Sequence, residues 1–374
     1  MFDEYTIKDV IEEVIDYRGK TPKKLGGDWS EEKTEYMALS AKNIKKGRIV
    51  QPDTIRYVNQ EMYNKWMKQE VERGTILITS EAPFGELLYW DSDDKIVLSQ
   101  RLFGLKIKKE FNSRYIYYYM FSEQFQGELS GRATGSTVTG LRQPELLKCH
   151  LKVPNRKYQD IIANILMNID KKIDLNNEIN NNLHELEKNL YKEWFKDLSD
   201  DNTKKLGELC SIKYGKGLPT TKIEESGYPV YGGNGIIGYY HEYMYDDSQV
   251  LISCRGAASG NVIVSKPKSF VTNNSLILEC DRKYHHYLKQ YSLDRYYYEY
   301  TTGSAQPQIT IDNIKDIVLN IPSDELLESF NEQMDNLELK YFSNLEEVGK
   351  LEQLRDTLLP RLMNGEIDLD NIEI

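Results

Sequence analysis

The chain has 374 residues, 40% hydrophobic and 11% aromatic, with a net charge of −11. That length gives room for two domains and their connectors, in the composition of a folded protein. No stretch approaches the roughly 18 apolar residues of a membrane span. The acidic start Met1-Phe2-Asp3-Glu4 does not read as a signal peptide, so a cytoplasmic location is expected.

Cys149, Cys210, Cys254 and Cys280 are widely spaced with no CxxC pair, which predicts reduced thiols and neither a disulfide framework nor a zinc site. The acidity is uneven. Residues 1–150 and 201–320 are balanced, whereas 321–374 hold four Lys or Arg against fourteen Asp or Glu. Each balanced region is free to carry a basic face toward phosphates. The acidic segment suits a solvated helix or a surface for a protein partner.

In chain order, residues 1–150 alternate short strand-like runs with Gly, Pro and Asn breaks. Strands are predicted over 76–79, 87–90, 95–98 and 103–107. A helix is expected from Arg114 to Leu129, then a Gly/Ser/Thr loop over 130–137 and a last strand near 149–153 that ends at Pro154. From Lys157 to about Asp197 the pattern changes. Leu166, Ile169, Ile173, Leu183, Leu186 and Leu190 fall at the three- and four-residue steps of a coiled-coil seam, with Asn176, Asn177 and Asn180 in its middle. About 40 residues at 1.5 Å each make roughly 60 Å of helix.

Residues 199–322 repeat the first region. Strands are predicted over 249–253, 261–264, 269–271 and 276–280, followed by a tyrosine-rich helix and the loop 301–308. A second long helix runs from Leu326 to Met363, with Met334, Leu337, Tyr341, Leu345, Val348, Leu351, Leu354 and Leu358 on its seam. Gly135-Ser136, Val153-Pro154, Leu183, Leu186 and Leu190 recur 168 residues later as Gly303-Ser304, Ile321-Pro322, Leu351, Leu354 and Leu358. The expected fold is α+β: two similar mixed-β heads separated by two long antiparallel coiled-coil helices, with pseudo-two-fold symmetry. The expected boundaries are 1–155 for the first head, 156–198 for the first spacer, 199–322 for the second head and 323–374 for the second spacer. An antiparallel helix pair would place one head at either end, as in a dumbbell.

No catalytic signature is visible. Gly233-Asn234-Gly235-Ile236-Ile237-Gly238 fits GxGxxG, but Pro229 precedes it and Tyr239-Tyr240-His241 is poor helix-opening sequence, so turns in an irregular β region are expected. Metalloprotease, P-loop and nucleophile-elbow motifs are missing, as are the tetrapeptides by which adenine methylases hold a flipped base. His285-His286 lacks a neighbouring carboxylate or cysteine frame, so no metal is predicted. The 27 tyrosines cluster on two helical stretches, where packing of helix on sheet is the default.

The two polar loops are more informative. Arg132, Thr134, Ser136, Thr137 and Arg142 in one, and Thr301, Thr302, Ser304, Gln306 and Gln308 in the other, are groups that bond base edges or phosphates. Their placement at the same point of both copies favours a shared binding role.

The chain also carries Gly19-Lys20-Thr21-Pro22 and Gly217-Leu218-Pro219 near the starts of the heads. Further on come Tyr228 to Gly235 with Gly238-Tyr239, Ser253-Cys254-Arg255-Gly256 with Gly260, and Thr272-Asn273-Asn274. In this order, twice and ending in a long helix, these features resemble the specificity subunit of type I restriction-modification systems over nearly the whole chain. The first head departs from the pattern at Met37 to Gly47, where the second has its glycine-rich run.

The resemblance implies two target recognition domains that bind a bipartite double-stranded DNA sequence, one half-site each, across a gap set by the helices. It implies two methyltransferase (modification) subunits and restriction or motor subunits as partners, and no membrane. S-adenosylmethionine, ATP and magnesium would then belong to the partner subunits, with no catalysis in this chain. Lys20, Thr21, Lys216, Arg255, Asn273 and Asn274 join the loop residues as DNA-contact candidates. A scaffold that binds proteins alone through two globular ends stays open at this point.

Overall fold

The computed structural model describes residues 2–134, 140–199, 201–295, 297–303 and 307–370. The chain forms two compact units, one of Met1–Asp174 with Gly349–Ile374 and one of Leu175–Val348.

The first unit opens with Phe2–Thr6, which pairs antiparallel with His150–Pro154. Its main sheet is antiparallel, in the order Ile11–Asp16, Leu102–Ile107, Ile76–Thr79, Leu87–Tyr89. A second sheet places Tyr36–Leu39 between Arg56–Val58 and, in parallel, Ile96–Leu98. Both faces of the hairpin at Ile76–Thr79 are buried, so its side chains feed two cores. Ile76 and Ile78 belong to one apolar cluster with the tyrosine-rich helix, while Leu77 belongs to another with Trp66 and Tyr63.

The second unit repeats the strand pair and both of these sheets. Thr203–Lys205 pairs with Val318–Asn320, and the main sheet runs Cys210–Tyr214, Ser275–Cys280, Val250–Ser253, Val262–Val264. Tyr228–Gly232 lies between Gly235–Tyr240 and, in parallel, Phe270–Val271. The divergence around Met37 is also one of backbone: Ile44–Lys45 and Arg48–Ile49 form a small hairpin in the first unit, with no counterpart among the described residues of the second. The GxGxxG run is the turn and second strand of a hairpin, with Gly235 at φ 110° and a bulge at Val230/Tyr231.

One helix expected over Arg114–Leu129 is two, Ser113–Met120 and Glu123–Gly131. The break is at Ser122, whose Oγ caps the second helix by accepting from the Phe125 amide. Tyr115, Tyr117, Tyr118 and Tyr119 are buried against the sheet, as are Tyr287 and Tyr297 in the second unit. Tyr115 donates to the Lys152 carbonyl and Tyr287 to the Asn320 carbonyl, each at 2.6 Å, so the repeat extends to a hydroxyl tying each tyrosine-rich helix to the last strand of its head.

The long helices are Arg156–Trp194 and Asp324–Met363. Each starts just after a proline. Asn155 accepts from the Tyr158 amide and Ser323 from that of Leu326, giving both an N-cap. Inside the second unit Asn176 bonds Glu347 and Asn180 bonds Asn344, while inside the first Asp170 pairs with Arg355 at 3.0 Å. Within the second unit partner numbers fall on one helix as they rise on the other, so its two segments run antiparallel.

The seam differs from the leucine reading. On the first helix it runs through Ile162, Leu166, Ile169, Ile173, Asn176, Asn180, Leu183, Glu187, Leu190 and Trp194, in alternating steps of four and three. Leu186 is off this line and 44% exposed, while Glu187 beside it is buried. On the second helix Leu327, Phe330, Met334, Leu337, Tyr341, Asn344, Val348, Leu351, Arg355, Leu358 and Leu362 keep the same alternation. Leu345 is only half-buried next to buried Asn344, and Leu354 is 46% exposed next to Arg355. Strict 3-4 spacing selects these polar residues over the adjacent leucines.

The heads add bonds to the polar residues of the long helices. Asp170 also accepts from the Tyr118 hydroxyl at 2.7 Å. Buried Glu187 accepts from Lys289 at 3.2 Å and from Gln290 at 2.9 Å, and Lys289 reaches Glu338 at 3.1 Å. Burial would push the Glu338 carboxyl up, but Lys289 and the two neighbouring histidines outweigh it and hold it below its ordinary range. Phe195 packs against both Tyr287 and Phe330, with ring centroids 5.0 and 4.8 Å apart, joining helix to head in an apolar cluster.

The cysteines are free. Cys210 faces Cys280 across a strand pair, and burial pushes both thiols up to about 12, far from the reactive thiolate. Among the described residues no helix is long and apolar enough to cross a membrane.

Candidate nucleic-acid interface

In the second unit, three segments converge beyond the end of strand Val250–Ser253. The Cys254 amide donates to the Asn274 carbonyl at 3.0 Å, and the Cys254 carbonyl accepts from the Ile309 amide at 3.1 Å. Arg255 forms a bridge to Gln308, which pairs with Thr302 through two backbone bonds of 2.8 and 2.9 Å. The Lys216 amide donates to the Val271 carbonyl at 2.9 Å, bringing a fourth segment alongside. Glycine is required at two points. A Cβ on Gly215 would stand 2.3 Å from the Thr272 carbonyl oxygen, and one on Gly260, at φ +94°, would stand 2.5 Å from the Tyr298 amide.

This framework gathers Lys216, Arg255, Asn273, Asn274, Thr302 and Gln308, residues spread over some 90 positions of sequence. Arg255, Lys216, Asn274 and Thr302 are exposed. Among the described residues neither Arg255 nor Lys216 has an acidic partner, so both charges face solvent. A cationic rim with amide and hydroxyl groups can neutralise phosphates and bond base edges together. Thr301 is turned inward, donating to the Tyr298 carbonyl at 2.7 Å.

The first unit builds the same frame with other chemistry. Thr134 and Gly140 exchange backbone bonds of 3.0 and 2.9 Å, and Leu141 donates to the Ser80 carbonyl at 2.9 Å. These match Thr302, Gln308, Ile309 and Cys254 of the second unit. At the place of Arg255, however, stands Glu81, in an ion pair with Arg101 at 3.0 Å. Arg101 has φ 67°, a backbone region that non-glycine residues rarely occupy and that recurs at functional positions. It borders a cavity of about 310 Å³ lined also by Trp29, Ser40, Lys42, Arg56 and Gln100, in which the Arg56 guanidinium lies 5.3 Å over the Trp29 ring.

Not every candidate joins these frames. Lys20 is half-buried, donating to the Trp66 carbonyl at 3.2 Å with its ammonium 4.4 Å over the Tyr17 ring, and Thr21 accepts from the Lys24 amide. Arg132 is bound twice to Glu128, at 3.0 and 2.8 Å. Burial opposes ionisation of that carboxyl, but its bonds to His150 and Arg132 keep it below its usual range. The structure thus commits Lys20 and Arg132 to internal bonds. Arg142 is exposed at the start of the short helix Gln143–Leu146. Ser136, Thr137, Ser304 and Gln306 lie outside the described residues. Sequence reasoning missed Glu81, Arg101, Trp29, Lys42 and Arg56. The strand correspondence that sets Thr79 against Ser253 carries Glu81 onto Arg255 and was the available signal for that one.

Two α+β heads that share the order of their main sheets, each followed by a long helix and each carrying the same loop frame with different side chains, define a duplicated recognition protein. The family model described as type I restriction modification DNA specificity domain matches residues 2–185 and again 199–355. The chain belongs to this family. It is 22% identical over 344 residues to the MjaIX specificity subunit of Methanocaldococcus jannaschii, covering 80% of this chain and 79% of that one. It is 30% identical over 152 residues to the EcoprrI specificity subunit of Escherichia coli, covering 37% of each. The crystal structure of the type I restriction-modification S subunit from M. genitalium has the same fold, with a TM-score of 0.61 at 19% identity and 97% and 96% of the two chains covered.

Proposed function

We propose that this chain reads a bipartite double-stranded DNA sequence, one half-site per head. The observation that carries this reading is the shared frame with exchanged chemistry, Arg255 and Gln308 in one head against the Glu81–Arg101 pair in the other. A common frame suits a common DNA backbone; different side chains suit different bases. In this reading the chain performs no reaction itself. It brings two methyltransferase subunits and restriction or motor subunits to the target, and those subunits bind S-adenosylmethionine, ATP and magnesium. The complex would work in the cytoplasm, with the antiparallel helices setting the unread gap between half-sites. The acidic second long helix supports a protein-binding face.

The test is methylation-aware sequencing of DNA from cells that express this chain with its methyltransferase. One motif of two fixed half-sites and a fixed gap is expected. A continuous motif, or no motif, would overturn the bipartite reading. Duplex binding that fails at low salt even with the methyltransferase present would favour a protein-only scaffold.

A further inference from the structure

His285 and His286 lie on the helix Arg282–Leu293 of the second unit, and Glu338 on the long helix Asp324–Met363. The sequence separates the carboxylate from the histidines by some 50 residues. Folding brings one ring nitrogen of each histidine and a Glu338 oxygen within 4.8 Å of one another. We propose that His285, His286 and Glu338 bind a divalent transition ion of the zinc class, which ties the head helix to the long helix.

Several contacts support this. His286 is 3% exposed, and its Nε2 sits 2.8 Å from the Asp335 carboxylate. A ring N–H held by a carboxylate leaves Nδ1 as a lone pair, and this outer-sphere arrangement is the one that orients metal-binding histidines. That Nδ1 is buried and has no hydrogen-bond partner among the described residues. A buried acceptor without a donor costs stability unless something electrophilic meets it.

His285 is held in a similar way. Its Nε2 lies 3.2 Å from the Ser248 hydroxyl, which is itself 3.2 Å from Glu338. With Ser248 donating to the carboxylate, its oxygen accepts from the His285 Nε2–H, and the second imidazole is also fixed with Nδ1 unprotonated. Lys289 shares Glu338 but keeps Glu187 as a second partner at 3.2 Å, so Glu338 can turn to an ion without stranding the ammonium.

The two histidines are reachable. A cavity of about 380 Å³ is lined by both of them with Asp335, Glu328 and Glu332, and also by Arg282 and Lys283, whose charges are paired with Asp335 and Asp324. Two imidazoles and one carboxylate form a three-ligand set with borderline softness, suited to zinc or cobalt and poorly suited to calcium or magnesium.

The test uses the full chain, treated with chelator and titrated with cobalt(II) or zinc(II). One equivalent is expected to bind, with the visible absorption of a low-coordinate cobalt–imidazole centre and a rise in Tm. His285→Gln, His286→Gln and Glu338→Gln should each weaken binding at least tenfold, whereas His184→Gln and His241→Gln should not. Asp335→Asn, which removes only the orienting carboxylate, should weaken it tenfold or more. Circular dichroism confirms that each variant folds. Wild-type protein that binds no equivalent, or full binding in both folded His285→Gln and His286→Gln, would overturn the proposal.

Discussion

Asn344 donates its Nδ2–H to Oδ1 of Asn180 at 2.9 Å, with both side chains at least 95% buried between the long helices of the second unit. Asn180 in turn donates to the Tyr341 carbonyl at 3.3 Å. A buried amide pair favours one register, because a shift by a heptad sets the Asn180 amide against Leu337 or Leu351. Asn344→Ala should cost about 1–3 kcal/mol, the penalty of a stranded Asn180 amide. The Asn180→Leu/Asn344→Leu double variant should be as stable as wild type or more so while losing register. Urea unfolding gives the first value; paired cysteines placed along the seam, and their crosslinking yields, report the second. Equal yields at matched and shifted positions in the wild type would contradict the register role.

Lys289 holds Glu187 and Glu338 together in the interior of the same unit. Lys289→Met leaves two buried carboxylates without a cation and should cost about 3–5 kcal/mol. Replacing all three by apolar residues should cost far less. Denaturant midpoints of the single and triple variants decide this.

Acid should loosen the second unit early. Burial lowers His285 from 6.5 to about 4. The unfolded chain therefore takes up a proton on His285 between those values and the folded chain does not. The resulting stabilisation is full above pH 6.5 and declines as pH falls toward 4. Tm is expected to drop over that window, and His285→Gln should flatten the drop. A wild-type Tm constant from pH 7 to 4 would count against it.

Among the described residues Arg255 and Lys216 have no acidic partner. Each change to alanine should reduce the slope of log K against log salt by about 1 if the residue meets a phosphate. If Arg255 reads a base instead, its loss should relax one position of one half-site at a cost of about 1–3 kcal/mol. Fluorescence anisotropy at several salt concentrations, beside methylome sequencing of the same variant, separates the two.

A seven-residue insertion in each long helix, in phase with the seam, adds two turns, or about 10 Å. At 3.4 Å per base pair the unread gap should grow by about three base pairs while both half-sites stay the same. An unchanged gap in the methylated sites would remove the helices from the role of ruler.

Much of this architecture was legible in sequence because buried strands such as Ile76–Thr79 and Val250–Ser253 are apolar on both faces. Ile11–Asp16 was not: it is an edge strand with one neighbour, and its three acidic residues break the apolar pattern. The seam was misread where a leucine stood beside a polar residue. Hydrophobicity favours Leu186 and Leu354, but helical phase favours Glu187 and Arg355, whose partners come from elements distant in sequence. The same distance hid the site chemistry. Lys20 reads as a free cation until the Trp66 carbonyl, 46 residues on, is placed against it, and Arg101 lies between two predicted strands without a role until Glu81 closes on it.

Each head starts and finishes on one two-stranded ladder, Phe2 opposite Pro154 and Thr203 opposite Asn320. The points where a head joins the rest of the chain are therefore neighbours, fixed by backbone bonds that any sequence can make. A foreign head needs only to supply the two rungs of that ladder and a tyrosine hydroxyl in the place of Tyr115 or Tyr287 to be received. Genetic exchange at these two seams would yield new pairings of heads without redesign of the helices. The molecule is thus organised for inheritance by halves.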